Sequence, residues 1–206
     1  MKVVVFGATG RVGNEVVEEC LRKGFEVVAF SRKPKINPRK NLSVVIGDAL
    51  NPTAVDKAVE GCDCAIITLR VEPREIRDII SASTANIVSA MLRKKAKRLI
   101  CLTAMGVGES IKEVPFFIRP VFTVYMGRSF KDKHRQEQLI EASNLDWTIV
   151  RPSFFTNGPV RGNLIVGEKI KPKGLIASIS IKDVAKFMVD QIENQEWIKK
   201  KVAISY

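Results

Sequence analysis

Histidine is nearly missing from this chain of 206 residues: His134 is the only one, and the four cysteines (Cys20, Cys62, Cys64, Cys101) show no CxxC spacing. With neither thiols nor imidazoles grouped, no structural zinc or other metal site is expected, and a reducing compartment is. Cys20 and Cys101 fall on apolar faces of a helix and a strand, so they read as core thiols. Long apolar runs are lacking as well. No stretch approaches the roughly 18–20 residues of a bilayer-crossing helix, so no membrane partner is expected. The opening Met-Lys-Val-Val-Val-Phe-Gly has no small-residue cleavage site, so no signal peptide is expected and the predicted location is the cytoplasm. Acidic residues are the scarcer charge, 22 Asp and Glu against 34 Lys and Arg, a net +12. Such a field favours anionic ligands. The basic clusters at 32–40, 93–98, 128–135, 169–173 and 199–201 carry no aromatic interleaving or helix-turn-helix pattern, so nucleic acid is not an expected partner.

Strand-like and helix-like segments alternate throughout, with no linker, repeat or low-complexity stretch. Strands are predicted at 2–6, 26–30, 43–46, 63–67, 98–102, 146–150 and 201–205. Helical patterns lie at 12–23, 52–59, 76–95, 130–143 and 181–193. This alternation implies an α/β fold: a doubly wound parallel sheet with helices on both faces, as one domain over 1–206. Gly24 marks the end of the first helix. Ser180, with Asp183 three residues on, marks the start of the last. The segments 103–129 and 152–175 are poorest in pattern, and they are expected to build the substrate side of the cleft.

The most informative stretch runs from Val3 to Gly13. An apolar run enters Gly7, Gly10 and Gly13, and a helical pattern follows. Strand, glycine turn and helix are the parts of a dinucleotide site. The first glycine permits the tight turn, the second lets backbone approach a pyrophosphate, and the third lets helix and strand pack closely. The helix N-terminus then aims free N–H groups at the anion. The spacing here is GxxGxxG.

The end of the second strand distinguishes the two nicotinamide dinucleotides. A carboxylate there would bind ribose hydroxyls and repel a 2′-phosphate, but this chain reads Ala29-Phe-Ser-Arg-Lys33. Ser31 offers a hydrogen bond and Arg32 a bidentate pair, which favours NADP(H) over NAD(H). Arg11, in the glycine loop, either stacks on the adenine or adds positive charge. Asp48 ends a strand, where it either bonds the adenine amino group or forms the turn before Asn51-Pro52. Thr68-Leu69-Arg70 should pass beside the adenosine ribose and pyrophosphate.

Phe6-Gly-Ala-Thr-Gly-Arg-Val-Gly13, Val45-Ile-Gly-Asp48, Asn86-Ile-Val-Ser-Ala-Met91, Leu145-Asp-Trp-Thr-Ile-Val-Arg-Pro152 and Ile179-Ser-Ile-Lys-Asp-Val-Ala185 together resemble the atypical short-chain dehydrogenase/reductases. The resemblance is to the branch holding biliverdin-IXβ (flavin) reductase and the NmrA-like NAD(P)H-binding proteins, and it implies a Rossmann-type fold. It implies cofactor contacts from Gly7, Thr9, Gly10, Arg11, Val12, Gly13, Ser31, Arg32, Asp48, Ala49 and Leu69. Near the nicotinamide it implies Thr103, Ala104, Pro152, Ser153 and Phe154. Lys133 aligns with a lysine many of these proteins keep, and either touches the ribose or substrate or is a solvated helix-end charge.

The chain also departs from the pattern. Thr103-Ala104 replaces a Thr-Ser pair, and Ser153 stands where the biliverdin-type enzyme has histidine. Tyr125 is followed four residues later by Ser129, so the Tyr-x-x-x-Lys pair of the wider superfamily is absent. A carbonyl reductase needs such a proton donor. Hydride transfer to a flavin, linear tetrapyrrole or quinone asks less, because charge spreads over the acceptor and solvent supplies the proton. The expectation is an NADPH-dependent reductase of a small planar substrate, with Thr103 and Ser153 as candidate catalytic residues. Two or three of Phe116, Phe117, Phe122, Tyr125, Phe154 and Phe155 would wall the pocket, and Arg119 and Arg161 are candidates to hold an acidic group. The alternative is a non-catalytic NADP(H) sensor of NmrA type that docks on a protein partner. No oligomerisation signal is visible, and the reading leans to a monomer.

Overall fold

The computed structural model describes residues 1–33, 35–70, 78–113, 119–171 and 177–206, with the backbone alone described at 113 and 120–126. The first strand, β1 (Lys2–Phe6), shows why its run is almost continuously apolar. Val3 and Val5 join the core on one face of the sheet, while Val4 and Phe6 join the core on the other. A strand buried on both faces has no solvent side on which to alternate.

Around β1 lie β2 (Glu26–Ser31), β3 (Leu42–Ile46), β4 (Cys64–Ile67), β5 (Arg98–Leu102), β6 (Asp146–Pro152) and β10 (Lys200–Ser205). Their order is β3-β2-β1-β4-β5-β6-β10, all parallel, and β8 (Ile165–Gly167) adds antiparallel to β10. β7 (Phe154–Thr156) and β9 (Ser178–Ser180) form a separate parallel ribbon. Helices α1 (Arg11–Arg22) and α5 (Ile181–Asp190) cover one face. The other carries α2 (Pro52–Val59), α3 (Ile79–Lys94) and α4 (Arg119–Glu141). This is the expected doubly wound sheet. The chain winds outward through β2 and β3, then returns across β1 to β4, so a switch point opens at the carboxyl ends of β1 and β4.

The main departures fall in the two patternless segments. Helix α4 starts at Arg119 instead of 130, with Pro120 tolerated in its first turn and Gly127 diluting the periodicity. The segment 152–175 contributes two short strands, β7 and β8. Residues 76 and 77 of the predicted third helix lie outside the described residues.

Two buried polar side chains pin helix ends. Asp132 of α4 accepts from the N–H groups of Ile80 (2.9 Å) and Ser81 (3.0 Å), capping α3 in place of Asp78, which makes no side-chain cap. Arg98 donates to the Gln191 carbonyl at the end of α5, to the Asp146 carbonyl and to Thr148 Oγ1. Burial pushes its guanidinium pKa down, and these acceptors offset the lost hydration. Among the described residues no helix is long and apolar enough to cross a membrane.

Candidate functional site

The glycine turn sits at the switch point, and each glycine has a separate geometric reason. Gly7 has φ +87°, in the left-handed region, and its carbonyl accepts from Gly10 N at 2.9 Å, which closes the turn. A Cβ on Gly13 would lie 2.1 Å from that same carbonyl oxygen, so only glycine lets α1 approach this closely. Thr68, just past β4, locks the turn from below: its Oγ1 donates to Phe6 O at 2.9 Å and its N–H to the same oxygen at 2.9 Å.

The first turn of α1 differs from those of its neighbours. Asn51 accepts from Thr53 N and Ala54 N at α2, and Ser180 accepts from Lys182 N at α5. The cap of α1 is Gly10, with no side-chain acceptor and no acid in the first turn. Its leading N–H donors and dipole therefore face the crevice, an arrangement that suits a diphosphate. Thr9, Gly10 and Arg11 line a cavity of about 390 Å³ together with Asn157, Gly158 and the first turn of α5. Arg11 Nη2 donates to Asn157 Oδ1 at 2.6 Å, so its guanidinium lies across this cavity.

On the adenine side, β2 runs one residue past its predicted end, so that Ser31 closes the strand and exposed Arg32 follows directly. The Ser31 hydroxyl lies 3.5 Å from Thr9 Oγ1, donates to Lys33 O at 2.8 Å and accepts from Lys33 N at 3.2 Å. Asp48 is exposed and its Oδ1 accepts from Leu50 N at 2.9 Å, which makes it a turn former here. Ala49, which follows it, is buried, and half-buried Leu69 packs against the same core on the α2–α3 face.

On the nicotinamide side the candidate hydroxyls are engaged. Thr103 is 2 % exposed and donates through Oγ1 to Glu137 Oε1 at 2.7 Å. Glu137, fully buried, receives Arg151 Nε at 3.0 Å and Nη2 at 2.5 Å. Arg151 extends to Glu109 (2.9 Å), which also holds Lys201 (2.8 Å). Partial burial alone would raise the Glu109 carboxyl, but hydrogen bonds from Arg151 and Lys201 hold it down to about 2. Lys133 is half-buried and its ammonium donates to Thr103 O at 3.0 Å; burial of that charge lowers its pKa, against the pull of the Glu137 and Asp132 carboxylates. Ser153, at the end of β6, accepts from Ser205 Oγ at 2.9 Å. Glu109, His134 and Glu137 bring ligand atoms within 4.8 Å of one another, but Arg151 and Lys201 already compensate both carboxylates.

Thr103, Ala104, Lys133, Pro152 and Ser153 thus come together at the ends of β5 and β6, while Gly7–Gly13, Ser31 and Arg32 gather at β1 and β2. Phe154 and Phe155 are both exposed, and successive strand residues face opposite sides, so the two cannot wall one pocket together. Phe116 and Phe117 lie outside the described residues, as do the side chains of Phe122 and Tyr125. Arg161 stacks over Tyr206 at 4.8 Å. The Glu137–Arg151 pair was not anticipated. Its one signal in the sequence is a charged residue, Arg151, directly after the apolar Ile149-Val150 of a buried strand.

A family model described as NAD(P)H-binding matches residues 7–195. An uncharacterized chloroplastic protein of Arabidopsis thaliana is 28% identical over 95% of this chain and 73% of its own length. The structure of a Rossmann-fold NAD(P)-binding family protein from Shigella flexneri superposes with a TM-score of 0.75 and 26% identity, covering 98% of this chain and 92% of that one. ChuY, an anaerobillin reductase from Escherichia coli O157:H7, shares the fold with a TM-score of 0.80 at 19% identity, over 99% of this chain and 96% of its own. With nearly all of its length matched and the glycine turn built as described, this chain belongs to the NAD(P)H-binding family of Rossmann-fold proteins.

Proposed function

We propose that this protein is an NADPH-dependent reductase that delivers hydride to a planar conjugated acceptor such as a flavin, linear tetrapyrrole or quinone. The observation that carries this reading is the first turn of α1, uncapped by any side chain and opening on the switch point beside Arg11. Its N–H groups would bind the dinucleotide diphosphate. Arg32, in a stretch from Val27 to Gly47 that contains no Asp or Glu, would take the 2′-phosphate. The bound nicotinamide supplies the hydride.

The chain itself binds, orients and excludes water. Thr103 and Ser153 fix the ends of β5 and β6 where the nicotinamide would lie, and Lys133 holds its ammonium at the Thr103 carbonyl, within reach of a ribose. Because the Thr103 proton goes to Glu137, an acceptor that needs no strong acid suits this site better than a simple ketone. A fold neighbour that reduces anaerobillin supports reductase chemistry on this scaffold. The same engaged hydroxyl also favours a second reading, a sensor of NmrA type that binds NADP(H) without turnover and docks on a protein partner. Supplying NADPH or NADH with FMN and simple quinones separates the two. A reductase consumes the near-ultraviolet absorbance of the reduced nicotinamide, faster with NADPH; a sensor binds and leaves it unchanged. Tighter binding of NADH would refute the role given to Arg32.

A further inference from the structure

The segment after β7, Asn157-Gly-Pro-Val-Arg-Gly162, has no periodicity and reads as a loose surface loop. In the fold it is pinned along its length. Ser180 Oγ donates to Gly158 O at 2.7 Å. Asp183, 1 % exposed, accepts from the N–H of Arg161 at 2.8 Å and of Gly162 at 3.1 Å. The Tyr206 hydroxyl donates to the same carboxylate at 2.5 Å, while its ring carries the Arg161 guanidinium. One buried carboxylate therefore gathers two backbone amides and a phenol, and turns a loop into a fixed strap.

What the strap holds in place is Asn157. Its amide oxygen meets Arg11, the first residue of α1, across 146 residues of sequence. Strap and glycine turn form opposite walls of the same cavity, with Gly10, Arg11 and, a turn further along α1, Glu15 on one side and Asn157, Gly158 and Lys182 on the other. The contact uses one arm of the Arg11 fork and leaves the other donors for an anion in the cavity. An uncharged amide suits this place. A carboxylate at 157 would pair with Arg11 directly and compete with the ligand for its donors.

We propose that Asn157 clamps the dinucleotide diphosphate by holding Arg11 over it, and that Asp183 is the positioning residue that keeps the strap closed. The inference rests on the diphosphate lying at the first turn of α1, and it adds a residue governing how long the dinucleotide stays. Asn157 is exposed, so Asn157→Ala should leave the fold intact.

The test is stopped-flow binding of NADPH to the full chain, with equilibrium binding of adenosine 2′-phosphate, which lacks a diphosphate, as the comparison. Asn157→Ala should speed NADPH release about tenfold, the scale of one charge-assisted hydrogen bond, with association changed less than about twofold. Asn157→Asp should weaken NADPH further, and Asn157→Gln should restore part of the loss. Asp183→Asn should speed release in the same sense. Adenosine 2′-phosphate should bind all variants alike. Unchanged NADPH release in Asn157→Ala, with tight binding to the unaltered protein, would overturn the clamp alone. Equal loss of adenosine 2′-phosphate affinity would also overturn it, as a general distortion. Failure of the unaltered protein to bind NADPH would overturn the site and the clamp together.

Discussion

Removing the carboxylate from Glu137 should be among the most damaging single changes to this fold. Glu137 is fully buried, and Arg151, 3 % exposed, gives it two of its N–H groups. Glu137→Gln keeps the volume but leaves a buried guanidinium whose remaining anion, Glu109, is half exposed and already shared with Lys201. Breaking one side of a buried pair costs about 3–5 kcal/mol. In a domain of this size each kcal/mol is worth roughly 2–4 °C, so the melting temperature should fall by about 6–20 °C. Because the pair is shielded from solvent, raising salt to about 1 M should barely change the deficit. The double change Glu137→Leu with Arg151→Met should cost less than Glu137→Gln alone, since no orphan charge remains. Thermal and urea unfolding of the unaltered protein, the single variant and the double variant gives the comparison directly. A fall below about 2 °C for Glu137→Gln, or a double variant worse than the single, would refute the account of a buried pair.

Two glycines should respond to alanine with opposite signs. Gly13→Ala drives a Cβ into the Gly7 carbonyl and should cost about 1–3 kcal/mol together with dinucleotide binding, whereas Gly127→Ala, in α4 with nothing within 4 Å among the described residues, should gain up to about 1 kcal/mol in urea melts. The depressed Glu109 carboxyl contributes stability in full above its unfolded pKa and loses it as pH falls from about 5 toward about 2; Glu109→Gln should therefore lower stability near neutrality and flatten the unfolding profile over that window, so that the two proteins converge at the acid end. Burial raises the thiols of Cys20 to about 12 and Cys62 to about 11, and those of Cys64 and Cys101 further still. All four should resist a thiol-specific disulfide reagent at about pH 8 in the native protein and react together in denaturant; prompt labelling of any one in the native state would refute its burial.

The layout of strands and helices was legible because it is written in short-range pattern. Val3–Phe6 must be a two-faced strand, and Gly7, Gly10 and Gly13 must be a turn into a helix, whatever the rest of the chain does. What the pattern could not reach is contact between elements remote in sequence. Glu137 and Arg151 lie only 14 residues apart, yet their meeting depends on how α4 crosses β6, and nothing local distinguishes that glutamate from the solvated Glu141. Asp183 shows the same limit more sharply. Ser180 and Asp183 have the spacing of a helix-opening pair, and the serine does cap α5, but the acid spends its hydrogen bonds on Arg161, Gly162 and Tyr206. A local motif states what a side chain is able to do at a helix end; tertiary packing decides whether a better acceptor role competes for it. That competition ties the strap to α5, and through Asn157 to the glycine turn. The residues that read most plainly from sequence, Gly7 to Gly13, are therefore closed over by residues that sequence alone left as loop.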